Sequence, residues 1–322
     1  MINNPPDLAS EKANSVIDDW RPIVDSYLRK SSDPLIVILG PTACGKTDLS
    51  LEIAEHIAGQ KKKAEIINAD SRQLYRFLDI GTAKIDKANR RDIPHHLLDV
   101  LDPNQEVTMT WYKKEAERTI AEIQSRHGIP MLVGGSMLYI SAVIDGLESP
   151  VGSDPEIRKR LEEEYDKDGG ILLHQRLTDI DAKEALGIPR QNKMYLVRAL
   201  EIAELTGAMP SSVKIKKGTD YQPLLLGIDW PRPVLLDRIK ERTRLMLQAG
   251  WIEEVQSLLD KGYGPEAPAM KSHGYREIVA ALRSGALDRD MLVQAIEKKT
   301  RDYAKRQMTW WRGDKRIHWI KK

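Results

Sequence analysis

Leu35-Ile36-Val37-Ile38-Leu39 is an unbroken apolar run rich in β-branched residues. That is the pattern of a short strand buried on both faces of a parallel sheet. It runs into Gly40-Pro41-Thr42-Ala43-Cys44-Gly45-Lys46-Thr47, after which Leu49, Leu51, Ile53, Ala54 and Ile57 mark an amphipathic helix with Gly59 placed to stop it. The rhythm then repeats. A strand is expected at 65–69 with Asp70 at its end, a helix at 111–126, and a strand at 131–133 ahead of Gly134-Gly135. Strand, helix, strand in this order predicts an α/β fold with a parallel sheet.

The pattern changes after Gly146. From 154 to about 207 the chain is charged and helical, with Ser153-Asp154-Pro155-Glu156 as a helix start and Gly207 as a stop. Leu224-Leu225-Leu226-Gly227-Ile228 restores the buried-strand pattern, and helices dominate from Val234 onward. The organisation expected is a phosphate-loop (P-loop) parallel-sheet core at 35–146, a helical insertion at 147–222, and a return to the core at 223–322. Residues 1–34 read as an N-terminal extension. Its stretch 8–28 is expected to be an amphipathic surface helix, with Val16, Ile17, Trp20, Ile23, Val24, Tyr27 and Leu28 on the apolar side. There are no internal repeats and no low-complexity tract.

Composition narrows the setting. Of 322 residues, 41% are hydrophobic and 30% charged, enough to bury a core and too apolar for a disordered chain. Mean hydropathy is −0.46, and no apolar run approaches the length of a membrane span. The single cysteine, Cys44, excludes an internal disulfide and a Cys-based zinc site and suits a reducing compartment. Asp7, Glu11, Asp18, Asp19 and Asp25 argue against a secretory or transit leader. A soluble, cytoplasmic monomer is expected, with no membrane partner.

The net charge of +2 is unevenly distributed. From Ile296 to Lys322 there are ten Lys or Arg against three acids, and this basic segment also carries Tyr303, Trp310, Trp311 and Trp319. Its Lys and Arg read as phosphate contacts on a polyanion, and its tryptophans as core residues of a terminal helix and strand.

The chemistry concentrates in a few places. GPTACGKT matches G-x-x-x-x-G-K-[ST], in which loop amides, a helix N-terminus and Lys46 cradle a di- or triphosphate and Thr47 holds Mg²⁺. Asp70 stands where either a metal ligand or a general base would be needed; capping a turn is the bland alternative. Cys44 lies near a helix N-terminus, which would favour its thiolate, although the position mainly needs a small residue. His95-His96, without a third ligand nearby in sequence, reads as a hydrogen-bonding pair rather than a metal site. Gly134-Gly135-Ser136 is either a simple turn or a close approach of backbone to ligand.

Together with the loop, several blocks resemble the bacterial tRNA dimethylallyltransferases. They are Asn68-Ala69-Asp70-Ser71-Arg72-Gln73-Leu74-Tyr75, Asp79-Ile80-Gly81-Thr82-Ala83-Lys84, Pro94-His95-His96-Leu97-Leu98-Asp99 and Gly134-Gly135-Ser136-Met137-Leu138-Tyr139. Arg198-Ala199-Leu200-Glu201, Gly274-Tyr275-Arg276-Glu277 and Lys305-Arg306-Gln307-Met308-Thr309-Trp310 complete the set. The resemblance runs from about Leu35 to Trp319.

It implies transfer of a dimethylallyl group from its diphosphate to N6 of the adenosine beside the anticodon. Asp70 would be the base, Arg242 and the loop would act on the diphosphate with Mg²⁺ held partly by Thr47, and Thr82 and His95 would be supporting residues. Asp70, Ser71, Arg72 and Gln73 would read the extruded base. Ser136, Arg158, Met194, Tyr195, Leu196, Val197 and Arg198, together with Lys271, Ser272, His273, Gly274, Tyr275 and Arg276, would contact the anticodon stem-loop. The chain departs from the family pattern at Cys44, Arg72, Ser136, Gln191-Asn192 and Tyr195. A P-loop kinase or NTPase, a prenyltransferase of free adenine nucleotides and a non-catalytic RNA-binding protein are the rival readings.

Overall fold

The computed structural model describes residues 16–148, 151–213, 218–285 and 288–322. They divide into two compact units, one within Met1–Ile144 and Asp220–Lys322, the other within Asp145–Thr219.

The first unit opens with β1 (Val16–Ile17), α1 (Arg21–Lys30), β2 (Ile36–Leu39), α2 (Lys46–Gly59) and β3 (Ala64–Asn68). It continues through β4 (His95–His96), α3 (Met109–Ser125), β5 (Ile129–Val133) and α4 (Met137–Ile144). The second unit holds α5 (Pro155–Asp168), α6 (Ile171–Ile180), α7 (Ala182–Gly187), α8 (Lys193–Thr206) and α9 (Pro210–Val213). The chain then returns to the first unit as β6 (Leu224–Asp229), α10 (Arg232–Gln248), α11 (Trp251–Asp260), α12 (Tyr275–Ser284), α13 (Arg289–Trp311) and β7 (Ile317–Lys321).

Among the described residues the sheet has seven strands in the order β1-β7-β6-β2-β5-β3-β4, and every pairing is parallel. β2 is central, and successive residues go to opposite layers. Leu35, Val37 and Leu39 join the layer that includes Tyr112, Ile120 and Trp251, and Ile36 and Ile38 join the layer that includes Val24, Ile53 and Ile239. Two-sided burial explains why the strand reads as a continuous apolar run. Ligands of such sheets bind beyond the carboxyl ends of the strands, and β2, β3 and β5 bring Gly40, Asp70 and Gly134 to that edge.

The N-terminal expectation is corrected. Within the described part of 8–28 the helix spans Arg21–Lys30, and Val16–Ile17 instead form an edge strand against Trp319 and Ile320 of β7. Residues 1–15 lie outside the described residues. Nor is α1 an appended surface helix. Trp20, Val24 and Leu28 are buried, and side chains of this size stabilise by about 1.5–3 kcal/mol each. Tyr27 accepts the Leu35 N–H (2.9 Å) and donates to the Gln222 carbonyl (2.9 Å), joining α1 to both β2 and the segment entering β6.

The insertion is helical. Asp154 caps α5 by accepting the Glu156 and Ile157 amides, and Gly207 ends α8 with φ 66°. Leu161, Leu173, Leu177, Leu196 and Leu200 form its own core. Against the sequence boundaries of 147 and 222, the compact unit begins two residues earlier and ends three residues earlier. Among the described residues no helix is long and apolar enough to cross a membrane.

Candidate active site

The loop between β2 and α2 is tied down from several sides. Lys46 Nζ donates to the carbonyls of Gly40 (3.1 Å) and Pro41 (2.8 Å). Trp230 Nε1 donates to the Cys44 carbonyl (2.9 Å), and Arg238 Nε donates to the Ala43 carbonyl (2.9 Å). The Arg238 guanidinium lies 4.6 Å from the Trp230 ring centre. On the other flank, the Thr42 amide donates to Gln307 Oε1 (2.8 Å) and Arg242 Nη1 donates to Thr42 Oγ1 (3.3 Å). Gly45, at φ 96°, turns the chain into α2, whose first amides and positive end form an anion site.

Asp70 follows β3 by two residues. Asn68 fixes it from below: its Oδ1 accepts the Asp70 amide (3.0 Å) and its Nδ2 donates to the carbonyls of Asp70 (3.0 Å) and Leu97 (2.9 Å). Asp70 Oδ1 accepts the Arg72 amide (2.9 Å), so the carboxylate does shape a turn, as the bland reading holds. The neighbouring turn explains its glycine. A Cβ on Gly134 would lie 2.2 Å from the Ala69 backbone, so β5 reaches β3 this closely only with glycine. Ser136 N donates to the Ala69 carbonyl (3.0 Å) and Ser136 Oγ accepts the Ser71 amide (3.1 Å).

Asp70 borders two cavities. One holds Lys46, Thr47, Gln73 and His95. The other holds Thr42, Arg242, Lys271, His273 and Tyr303 against an apolar wall of Ile239, Met246, Trp251 and Ile296. A carboxylate between a phosphate cradle and a mixed polar and apolar cleft suits proton removal beside a departing anion.

The electrostatics follow from burial. Desolvation lowers the Arg242 guanidinium below its ordinary value, and the Asp70 carboxylate opposes that shift. Burial also lowers His95, whose Nδ1 contacts the Ile93 carbonyl at 2.8 Å. A carbonyl can only accept, so Nδ1 carries the proton and neutral Nε2 is an acceptor. Burial holds the Tyr303 phenol well above its usual range, and its OH donates to the Gly135 carbonyl (3.2 Å). The Cys44 expectation is corrected. The thiol is buried, and desolvation raises its pKa despite nearby Lys46, so the neutral thiol is favoured.

Residues singled out in the sequence divide into two groups. In the first unit, Asp70, Ser71, Arg72, Lys271, Ser272, His273 and Tyr275 line the cleft with Arg242 and Thr82. Gln73 and His95 line the adjoining cavity. Thr82 is buried and donates to the Leu78 carbonyl (2.6 Å), while Gln73 Nε2 donates to the Thr82 carbonyl (3.0 Å). Gly274 packs on Trp251, where a Cβ at Gly274 or at Gly81 would fall 2.0 Å from the indole. Arg276 is exposed at the start of α12. His96 bonds Glu65 (2.7 Å), so the two histidines are hydrogen-bonded as expected. Trp311 and Trp319 are buried, but Trp310 is 41% exposed, which departs from its expected place in the core.

In the insertion the RNA-facing expectation is corrected for part of α8. Leu196 and Val197 are buried in its core, because a helix turns successive residues to different faces. Met194 and Tyr195 are exposed. Arg158 and Arg198 both bond the fully buried Glu201, at 2.8 and 2.7 Å, and Arg198 also donates to the carbonyls of Val151 and Gly152.

Sequence reasoning missed four contributors. Glu254 on α11 accepts the amides of Asp79, Ile80 and Gly81 and the Tyr275 hydroxyl, thereby fixing the segment that carries Thr82. Trp251, Tyr303 and Gln307 shape the cleft or the loop beneath it. Gln307 carried a visible signal. Leu292, Ile296, Ala304, Gln307 and Trp311 form the buried stripe of α13, and a glutamine in such a stripe requires partners.

The family model described as IPP transferase matches residues 73–314. A tRNA dimethylallyltransferase of Desulforudis audaxviator is 40% identical over 289 residues, covering 89% of this chain and 91% of its own length. One from Geobacter metallireducens is 43% identical over 289 residues, covering 89% and 92%. The crystal structure of the full-length tRNA isopentenylpyrophosphate transferase from Bacillus halodurans superposes with a TM-score of 0.65 at 34% identity and covers 90% of each chain. With a match over most of its length to that family model and to relatives at about 40% identity, the chain belongs to the IPP transferase family.

Proposed function

We propose that this protein transfers a dimethylallyl group from dimethylallyl diphosphate to N6 of the adenosine 3′-adjacent to the anticodon of tRNA, in the cytoplasm and as a monomer. The observation that carries the reading is the place of Asp70, which borders both the P-loop cavity and the cleft lined by Arg242 and Tyr303. It stands in a chain whose relatives at about 40% identity are tRNA dimethylallyltransferases.

The N6 lone pair is delocalised into the adenine ring, so the amine is a weak nucleophile. Asp70 accepts its proton as nitrogen bonds to the allylic carbon and the carbon–oxygen bond to diphosphate breaks. Lys46, Arg242 and the α2 N-terminus stabilise the charge that grows on the leaving group. The Thr47 hydroxyl is a hard oxygen donor bordering the same cavity as Lys46, and it would hold Mg²⁺ together with the diphosphate oxygens, leaving Asp70 free for the proton. When bound, Mg²⁺ would neutralise charge on the departing diphosphate. The apolar wall of Ile239, Met246, Trp251 and Ile296 suits the five-carbon group. Arg72, Lys271 and His273 would meet the RNA at the cleft, and Met194 and Tyr195 would meet it on the insertion.

The test is one reaction holding the protein, Mg²⁺, dimethylallyl diphosphate, unmodified tRNA and AMP, followed by nuclease digestion and mass spectrometry. Five carbons added to one adenosine of the tRNA, with AMP unchanged, is the expected result. Addition to AMP would make the protein a nucleotide prenyltransferase, and no addition to either would return the kinase reading.

A further inference from the structure

Gln307 is 1% exposed and lies 265 residues from the loop it touches. Its Oε1 accepts the Thr42 amide (2.8 Å) and its Nε2 donates to the Gly135 carbonyl (2.8 Å). Both bonds join backbone groups of different loops through one planar amide. Tyr303, one helical turn earlier on α13, donates to the same Gly135 carbonyl. The fit is tight: a Cβ on Gly135 would fall 2.2 Å from Gln307 Nε2.

These two loops are the two sides of the reaction. Thr42 belongs to the phosphate loop, and its hydroxyl meets Arg242. Gly135 leads into Ser136, whose Oγ holds the Ser71 amide next to Asp70. Gln307 therefore links Thr42 and Arg242 on one side to Ser136, Ser71 and Asp70 on the other. A side chain present only to fill space would not need a donor and an acceptor directed at separate strand ends.

We infer that Gln307 is a positioning residue that sets the separation between the diphosphate loop and Asp70, acting through Thr42 and Gly135 without touching substrate. The inference rests on the transferase reading. A shift of about 1 Å between reacting groups can cost about 100-fold in rate, so the tether acts mainly on the chemical step.

Gln307→Met keeps length and volume and removes both polar atoms. Gln307→Glu keeps an acceptor for the Thr42 amide and removes the donor to Gly135. Three readouts are needed: melting temperature, calorimetric affinity for inorganic diphosphate with Mg²⁺, and kcat and KM with dimethylallyl diphosphate and tRNA. For Gln307→Met the expected result is about 10-fold weaker diphosphate binding and about 100-fold lower kcat, with KM for tRNA within about twofold of wild type. For Gln307→Glu it is diphosphate affinity within about threefold and kcat about 10-fold lower.

Wild-type kcat and diphosphate affinity in both variants would overturn the inference. So would a rate loss no larger than the loss of folded protein, or a change confined to KM for tRNA. Should Gln307→Met not fold, Gln307→Glu carries the test. A wild-type protein that binds diphosphate and prenylates nothing would sink the transferase reading instead, and the diphosphate affinities would still judge the tether to Thr42.

Discussion

The strand-end site of the first unit and the helices of the insertion carry residues assigned by the same resemblance, yet the two regions use them differently. At the sheet edge, Asp70, Thr82, Gln73 and His95 sit on short segments whose backbone groups are pinned by Asn68, Ser136 and Glu254. Consecutive positions there border the same cavities. On α8 a consecutive run is divided by the helical period. Met194 and Tyr195 face solvent, Leu196 and Val197 enter the core, and Arg198 turns back to Glu201. A motif in a loop can act as a unit, whereas a motif on a helix must be divided by face before any residue receives a role.

That contrast predicts which substitutions affect chemistry and which affect folding. The largest effect is expected at the sheet edge: Arg242→Ala should lower kcat/KM by about 1000-fold with little change in tRNA binding, measured by steady-state kinetics and a binding isotherm. A comparable loss in tRNA affinity would place Arg242 on the RNA side. On α8, Leu196→Ala should destabilise by about 2–5 kcal/mol, whereas Tyr195→Ala should stay within about 0.5 kcal/mol and weaken tRNA binding. Denaturant melts and filter binding separate the pair, and equal stability losses would break the distinction by face.

Glu201→Gln comes next, with an expected stability loss of about 2 kcal/mol, discounted because Arg158 and Arg198 are partly exposed. Burial pushes the Glu201 carboxyl up, but its bonds to Arg198 and Arg158 outweigh this and hold it below the ordinary value. Its contribution is therefore present above the unfolded glutamate value, about 4.3, and is lost as pH falls through the lower folded value. Exchange protection of 155–206 across that range checks it. The smallest effect belongs to His95. Its lowered folded pKa means the unfolded chain binds the extra proton first, so stability falls as pH drops below about 6.5. Melting curves of His95→Gln should show a shallower decline by less than about 1 kcal/mol.

Much of the first unit was legible because its strands are buried on both faces and its chemistry sits at their ends. The apolar run 35–39, the loop after it and Asp70 all appear locally in sequence. The N-terminal pairing of Val16–Ile17 with β7 was not legible, because the two segments are about 300 residues apart and a two-residue strand has no period to detect. Glu254 and Gln307 were missed for a related reason. Their backbone partners lie 173 to 175 residues away for Glu254 and 265 and 172 residues away for Gln307, so even the place of Gln307 in a buried stripe signals a need for partners without naming them. The splitting of α8 was available from its periodicity, but the resemblance carried the run as a block.

The central claim is that Asp70 acts on the proton while the loop, Lys46 and Arg242 hold the diphosphate. Asp70→Asn nearly preserves shape and hydrogen bonding, so a single-turnover measurement with calorimetry of diphosphate binding tests the claim most directly. The account predicts diphosphate affinity within about threefold of wild type and a transfer rate at least about 100-fold lower. A variant that transfers the dimethylallyl group to tRNA at the wild-type rate would contradict it.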